Sequence, residues 1–365
     1  MHEPAYAPAI AAAAIVDEFF ARRNAPLVPD TAIVAAVVNA AFWASLRREE
    51  GRSPRVSLAM VPPQLPGQSM LFERPLPLDA DLLVRLGPAV ERPGIHLGVW
   101  QMAEGDLQIW GAVRELPDLC LVAEVVEPGL IVLKYQRGKD QKYGNIAVLR
   151  GDQLRVVEEG DGSMPGRPVL LGELLGRDSI IPWSDGGTLL TQLAVSMRGH
   201  GHGASLLVVP SGTGGWRDSI DHPGSYAIAP PFTTLATLLD RRDEPGVWDD
   251  VRALVDAIAG LTAVDGAAIL TQRFELLAFG ATIRRREGRA PIEQVIVTEP
   301  VVGNVPSRMP ATELGGTRHL SAAQFVHDQQ DALAFVASQD GRFTVFAWSP
   351  SKRMVHAHRI EVLLL

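Results

Sequence analysis

Residues 264–270 read Val-Asp-Gly-Ala-Ala-Ile-Leu, and residues 313–323 read Glu-Leu-Gly-Gly-Thr-Arg-His-Leu-Ser-Ala-Ala. The first stretch places one carboxylate and a glycine directly before an apolar run of strand length. The second places a glycine pair, a hydroxyl, a guanidinium and an imidazole on a turn that leads into a predicted helix. Backbone N–H groups at a helix N-terminus bind anions, and a nearby arginine can bind phosphate through two hydrogen bonds. With a carboxylate opposite that turn to hold a hydroxyl or a metal, the two stretches predict a nucleotide site.

In combination, the two stretches resemble the signatures of the diadenylate cyclase domain, which are Asp-Gly-Ala and Gly-Thr-Arg-His-Arg. The first signature is complete at residues 265–267. The second is complete at residues 316–319 and then departs, because Leu320 stands where the family has its second arginine. Many members also carry an acidic residue after the serine equivalent to Ser338, where this chain has Gln339.

The resemblance implies a reaction and its partners. Two protomers would face each other, each holding one ATP and a divalent cation, Mn²⁺ or Mg²⁺. The 3′-hydroxyl of each ATP would attack the α-phosphate of the other, which gives cyclic di-AMP and pyrophosphate. A monomer would then be inactive, because half of the reactive groups come from the partner. The expected partners are therefore ATP or a related nucleotide and a second copy of the chain.

The resemblance also implies roles for individual residues. Asp265 would polarise the attacking hydroxyl or hold the metal, and Arg318 and His319 would act on the phosphates. The nucleotide-binding residues implied in the same way are Gly266, Ala267, Gly316, Thr317 and Ser338.

Other interpretations of these residues stay open. In one, a nucleotide sensor keeps the fold and the pocket but not turnover, which Leu320 and Gln339 favour because leucine cannot replace a bidentate phosphate contact. In another, Asp265 is only a turn aspartate and Thr317 caps an ordinary helix on a scaffold protein. The arginine run at residues 284–286 could replace the missing arginine, although such a run is usually a solvated face.

Two further motifs are weaker. His200 and His202 lie two residues apart on a glycine-rich stretch, but a zinc site needs more ligands than these, so a plain loop is favoured. Residues 211–215, Ser-Gly-Thr-Gly-Gly, lack the Gly-Lys-Ser/Thr ending of a phosphate-binding P-loop and are predicted to form a turn.

The composition limits the class of protein and its compartment. The chain has 365 residues, 47% of them hydrophobic, and a net charge of −8 without the basic footprint of a nucleic-acid binder. Its single cysteine, Cys120, excludes an internal disulfide and fits a reducing cytosol. The most apolar predicted helix, residues 32–46, is shorter than the roughly 20 residues that a membrane span needs. We therefore expect a cytoplasmic protein with neither a signal peptide nor a membrane segment.

The order of the predicted elements indicates a mixed α/β fold, α+β overall, with two domains joined by a linker at residues 159–184. Residues 1–158 are expected to form an α+β domain in which helices 8–22 and 32–46 pack on an antiparallel meander. The resemblance implies that this domain is a sensor of the DACNV type. Prolines at 62, 63, 75 and 77 predict turns after a short strand at 56–61. The strands of the meander are predicted at residues 95–101, 107–114, 120–126, 131–135, 146–149 and 153–157.

Residues 185–365 are expected to form the diadenylate cyclase-like domain, a mixed sheet flanked by helices. Residues 284–311, between the two signatures, are predicted to be an insertion that covers or reshapes the site. The predicted elements are helices at 188–197, 232–239, 247–261 and 321–330, and strands at 204–209, 332–338 and 343–348, with a further strand after Asp265.

Overall fold

The computed structural model divides the chain into two compact units, residues 1–159 and residues 160–364. The expected linker at residues 159–184 lies outside the residues that the structure describes. Those residues are 3–25, 27–48, 51–64, 69–91, 94–102, 106–137, 143–157, 189–221, 226–241, 244 and 246–365.

Three helices are described in the first unit: α1 (Pro8–Ala21), α2 (Thr31–Ser45) and α3 (Ala80–Val90). The Asp30 carboxylate accepts a hydrogen bond from the Ala32 N–H at 2.7 Å, so it caps α2 as the Pro-Asp-Thr pattern predicts. Asp79 caps α3 in the same way by accepting from the Leu82 N–H at 2.8 Å. The sequence did not predict α3, because its apolar positions fall inside a proline-rich stretch. No helix within the described residues is long and apolar enough to cross a lipid bilayer.

The first unit contains an eight-stranded sheet in the order β2-β4-β3-β1-β5-β6-β7-β8. Consecutive strands β5 to β8 form the predicted antiparallel meander. The meander does not extend to β3, because β1 lies between β3 and β5 and pairs with β3 in parallel. Every residue of β1 is buried, as a central strand covered on both faces requires. The strands are β1 (Val56–Met60), β2 (Ser69–Pro77), β3 (His96–Gln101), β4 (Leu107–Val113), β5 (Leu121–Glu127), β6 (Leu130–Tyr135), β7 (Gly144–Arg150) and β8 (Gln153–Val156).

The proline-rich stretch contains a strand where turns were predicted. Pro75 and Pro77 both belong to β2, which pairs only with β4 and forms one edge of the sheet. Proline has no N–H to donate, and an edge strand tolerates this because one side of its backbone has no partner strand. The pairing shifts register between Leu71 and Leu76, next to the first of these prolines.

The second unit is built on a ten-stranded mixed sheet in the order β10-β13-β12-β9-β16-β17-β18-β14-β15, with β11 also paired to β13. The pairs β9–β12 and β14–β18 are parallel. Its helices are α4 (Leu189–Gly199), α5 (Thr234–Asp240), α6 (Val247–Leu261) and α7 (Thr317–Asp328). Its strands are β9 (Ala204–Val209), β10 (Ile220–Asp221), β11 (Tyr226–Phe232), β12 (Ala267–Thr271), β13 (Leu276–Ile283), β14 (Gln294–Thr298), β15 (Ser307–Pro310), β16 (Leu333–Ala337), β17 (Phe343–Ser349) and β18 (Met354–Arg359).

Helices cover both faces of this sheet, and the central strand β9 packs against both layers. Its side chains alternate: Leu206 and Val208 belong to the core formed with α4 and α6. Leu207 and Val209 belong to the core formed with α7 on the opposite face. A strand buried on both faces has an uninterrupted apolar sequence, which is the pattern from which residues 204–209 were predicted.

The mixed α/β fold class is confirmed, and two details near the signatures differ from expectation. Helix α7 begins at Thr317 rather than at Ser321, because Gly316 acts as the N-cap residue. The predicted insertion at residues 284–311 contributes β14 and β15 to one end of the sheet, where β15 is the edge strand.

Candidate functional site

A cavity of about 630 Å³ opens at one end of the sheet in the second unit. Strand register explains which segments meet there. The end of β16 lies opposite the start of β9, since Ala337 pairs with Ala204, and β12 runs parallel to β9. The loop before β12, the first turn of α7 and the turn after β16 therefore converge. The lining includes all eight residues that the resemblance singled out, Asp265, Gly266, Ala267, Gly316, Thr317, Arg318, His319 and Ser338.

Gly266 allows the carboxylate of Asp265 to stand at the start of β12. Its φ of +104° is a left-handed conformation, and a Cβ at this position would lie 2.5 Å from the carbonyl carbon of Gly280. Backbone atoms of β13 thus occupy the space that any side chain would need. Asp265 itself is exposed on the cavity lining, where its oxygens are accessible to a ligand.

The first turn of α7 presents backbone donors to the cavity. The N–H groups of His319 and Leu320 both donate to the Gly316 carbonyl oxygen, at 3.0 and 3.3 Å. The N–H groups of Thr317 and Arg318 precede these bonds, and the first N–H groups of a helix have no intrahelical acceptor. Gly316 has no side chain with which to cap them. The glycine turn leads into a helix as predicted, and anion binding by its N–H groups stays a prediction.

The guanidinium of Arg318 lies beside Gly203, which is more than a hundred positions away in the sequence. A Cβ on Gly203 would lie 3.1 Å from Arg318 Nη1 and 3.4 Å from Gln339 Cγ. Arg318 is half-buried, and no hydrogen bond or ion pair joins it to another residue in the part of the chain that the structure describes. Arg318 lines the cavity, and its positive charge has no counter-ion among the described residues.

His319 is buried beneath this turn and is uncharged near neutral pH. Its Nδ1 atom lies 2.9 Å from the position that a Cβ of Gly315 would take, and its ring meets Phe346 edge-on at 6.1 Å. Burial lowers the pKa of the imidazole, and the charges of Arg359 and Arg342 lower it further, while Asp340 opposes them. A neutral imidazole offers one donor and one acceptor rather than a second positive charge.

The cavity lining includes two charged residues that the sequence did not predict, Asp340 and Arg342. Arg342 Nε lies 3.3 Å from Asp340 Oδ2, and the Ser338 hydroxyl donates to the Arg342 carbonyl oxygen at 3.2 Å. Burial by itself would raise the pKa of Asp340, but the nearby Ser338 hydroxyl, the Arg342 backbone N–H and the Arg342 charge lower it. In the sequence, Asp340-Gly341 indicated only a turn. Whether Asp340 and Arg342 line the cavity depends on how β16 and β17 pair.

Neither position 320, where the family signature has an arginine, nor the arginine run at 284–286 supplies a further positive charge to the cavity. Leu320 is partly buried and packs against the core between α7 and the sheet. Arg286 forms an ion pair with Asp218 at 3.3 Å. None of the arginines at 284–286 is among the described residues that line the cavity.

The two weaker motifs form ordinary loops. The rings of His200 and His202 stack with their centroids 5.8 Å apart. Among the described residues, no group of three or more His, Cys, Asp and Glu side chains is arranged to hold a metal ion. In the stretch 211–215, the Thr213 hydroxyl donates to the Pro210 carbonyl oxygen at 3.1 Å, which closes a tight turn.

Comparison with known proteins gives one informative match. Residues 23–114, about a quarter of the chain, match a family model described as "Probable sensor domain DACNV". The expected sensor domain is confirmed at that level for these residues, and the assignment of the second unit stays a prediction. No curated protein matches the chain.

Among solved structures, the chain is similar to one described as a hypothetical membrane spanning protein from Bacillus cereus. The sequence identity is 16% and the TM-score 0.25, over 46% of this chain and 61% of that one. The chain thus spans less than two thirds of that protein, and nothing about its function follows from a similarity of this size.

Proposed function

We propose that the second unit binds ATP and that two copies of it, with their cavities facing, condense two ATP molecules into cyclic di-AMP and pyrophosphate. The observation that carries this proposal is the meeting of both signatures on one cavity, although about 50 residues of sequence separate them. A volume of about 630 Å³ is within the usual range for small-molecule sites. The first unit, matched to a sensor domain, would regulate the reaction.

Phosphate binding is the function that the charged and N–H groups of the cavity support best. Arg318 has no counter-ion among the described residues, and the first N–H groups of α7 lie beside it. Arg342 adds a second guanidinium, held in place by Asp340. Positioned donors of this kind stabilise the negative charge that develops when the α-phosphate is attacked.

Asp265 is the group that we assign to the attacking hydroxyl. Its exposed carboxylate can accept the hydrogen bond of a ribose 3′-hydroxyl, orient the oxygen and take up its proton as the new bond forms. The new bond joins that oxygen to the α-phosphorus of the facing nucleotide. The bond from the α-phosphorus to the bridging oxygen breaks, and pyrophosphate leaves with the electron pair. The attacking hydroxyl and the attacked α-phosphate belong to different nucleotides, and each cavity supplies one Asp265. Both nucleotides can therefore react only when two cavities face each other.

A divalent cation fits this site as a companion of the nucleotide rather than as a resident of the protein. Mg²⁺ commonly binds through one or two carboxylates together with substrate phosphates. Asp265 can supply one such carboxylate, whereas Asp340 is engaged by Arg342. When bound, the cation would neutralise part of the phosphate charge.

A second candidate function is nucleotide sensing without turnover. Leu320 packs into the core, so the first turn of α7 offers the cavity one arginine where the family signature has two. Binding energy from Arg318 and the helix N–H groups would persist, but stabilisation of the transition state would be smaller. This candidate predicts nucleotide binding with no product.

One experiment separates these functions. The purified protein is incubated with ATP and Mn²⁺ or Mg²⁺, and the products are resolved by mass, with Asp265→Asn in parallel. Cyclic di-AMP from the wild type but not from the variant would support the cyclase. Without product, ATP binding that is lost in Arg318→Ala would support the sensor. Absence of both product and binding would contradict both functions.

A further inference from the structure

Arg318 packs closely against the bare backbone of Gly203. Gly203 is buried just before β9, and a Cβ there would lie 3.1 Å from Nη1 and 3.5 Å from Cζ of Arg318. A Cβ contact of 3.1 Å is tighter than most, so a larger residue at position 203 would displace the guanidinium by a few tenths of an ångström. The displaced group would be the end of a flexible side chain rather than backbone, so the fold can accommodate the change.

The loop that carries Gly203 is held in a defined shape. The Gly201 N–H donates to the Arg198 carbonyl oxygen at 3.3 Å, and the His202 N–H donates to His200 Nδ1 at 3.2 Å. The Gln339 side-chain amide reaches the His202 carbonyl oxygen at 3.4 Å. The loop and the turn after β16 are thus joined by a hydrogen bond next to Gly203.

We propose that Gly203 is a positioning residue for Arg318: its bare backbone forms the wall that holds the guanidinium toward the phosphates of a bound nucleotide. The proposal rests on the proposed nucleotide binding. The Gln339 side chain also adjoins Gly203, with its Cγ 3.4 Å from the position of the same Cβ, and its uncharged amide does not compete for the charge of Arg318. A carboxylate at position 339 would compete for that charge, so Gln339→Glu should weaken ATP binding more than Gln339→Ala.

Gly201 provides a matched control in the same loop. Its φ of +70° is close to the +73° of Gly203, but a Cβ on Gly201 would meet nothing within 4 Å. Alanine at either position therefore introduces similar backbone strain, and only alanine at 203 contacts Arg318. We expect Gly201→Ala and Gly203→Ala to lower the melting temperature by similar amounts. Only Gly203→Ala should weaken ATP binding, by about three- to tenfold, as a weakened charge-assisted hydrogen bond predicts.

A double-mutant cycle shows whether Gly203 acts through Arg318. Binding of ATP in the presence of Mg²⁺ is measured by calorimetry for Gly203→Ala, Arg318→Ala and the double variant of the full chain. If Gly203 only positions the guanidinium, Gly203→Ala has no further effect on affinity once Arg318 is alanine. Equal affinities of Gly201→Ala and Gly203→Ala, or additive losses in the double variant, would overturn the inference. An unchanged affinity of Arg318→Ala would instead contradict the proposed function.

Discussion

Arg318 and Leu320 have different surroundings although they are two residues apart on the first turn of α7. On an α-helix, side chains two positions apart differ by about 200° in direction, so when one faces a cavity the other points away from it. Arg318 lines the cavity, and Leu320 packs with the core beneath the helix. The departure from the family signature at position 320 is therefore accommodated by apolar packing in this chain.

This orientation leads to a prediction for Leu320→Arg, which restores the family signature. The charged head group would enter a partly apolar environment, so we expect the free energy of unfolding to fall by about 1–3 kcal/mol. Leu320→Met keeps the volume and should cost less than about 1.5 kcal/mol. Urea denaturation measures both. Increased ATP turnover by a fully stable Leu320→Arg would show that this side chain can reach the cavity after all.

Gly266 is the residue of the Asp-Gly-Ala signature with the least freedom to change. Alanine there would bring a Cβ within 2.5 Å of the Gly280 carbonyl carbon, and neither backbone can move independently of β12 and β13. We expect Gly266→Ala to lower the free energy of unfolding by more than about 2 kcal/mol.

Gly288 is the control for Gly266: its φ is +76° but its Cβ would meet nothing within 4 Å. Its substitution by alanine adds only the strain of the left-handed conformation, about 1 kcal/mol. Equal losses of unfolding free energy in the two variants, measured by chemical denaturation, would mean that the β13 backbone shifts to make room for the added Cβ.

At the scale of elements, α3 is a helix with a satisfied N-cap in a segment whose composition does not indicate a helix. The segment follows a proline-rich strand and contains Pro88 within the helix, yet Asp79 satisfies the Leu82 N–H at 2.8 Å. Apolar residues such as Leu83 and Val84 then fall on the face that packs into the core of the first unit. Capping and one buried face together offset the interruption by proline.

The cap of α3 can be tested by substitution. Asp79→Ala removes the acceptor, and we expect the free energy of unfolding to fall by about 1 kcal/mol. Asp79→Asn retains an acceptor oxygen and should cost much less. The comparison uses thermal or urea unfolding followed by circular dichroism. An alanine variant as stable as the asparagine variant would mean that core packing alone maintains this helix.

At the scale of the whole molecule, each unit contains a buried histidine that stays neutral. Burial lowers the pKa of His96 in the first unit to about 4, with Lys134 adding to the effect and Glu124 opposing it. Burial lowers the pKa of His356 in the second unit to about 4. His96 also bonds to the Ser57 hydroxyl through Nδ1 and to the Tyr143 hydroxyl through Nε2, each at 2.7 Å.

These histidines predict acid sensitivity in both units. These histidines take up protons at about pH 6.5 in the unfolded chain and only at about pH 4 in the folded chain. Their contribution to the free energy of unfolding is therefore complete above pH 6.5 and is lost as pH falls toward 4. Between pH 6.5 and 5, where few carboxylates titrate, we expect each unit to lose about 1.5 kcal/mol. Urea unfolding at several pH values measures this slope. His96→Gln and His356→Gln should each flatten the slope. Parallel slopes in the wild type and both variants would contradict the assignment.

Much of the fold could be predicted because it is encoded locally. The alternation of side chains predicted strands β3 to β8, of which β5 to β8 form the meander, the Pro-Asp-Thr cap predicted the start of α2, and the buried apolar run predicted β9. Seven of the eight site residues could be chosen because their chemistry, a carboxylate, a glycine turn and a guanidinium, lies within two short stretches, and Ser338 was added by the resemblance. Their assignment as nucleotide ligands stays a prediction that the product assay tests.

Local sequence patterns specify most of the element types, the mixed α/β class and the identity of the signature residues, since each depends on neighbours a few positions away. Long-range pairing and packing instead place β1 between β3 and β5, turn Leu320 toward the core, bring Gly203 beside Arg318 and bring Arg342 to the cavity. These relations join residues that are tens to more than a hundred positions apart. They depend on strand order and register, which are set by the packing of whole faces against each other and leave no local pattern in the sequence.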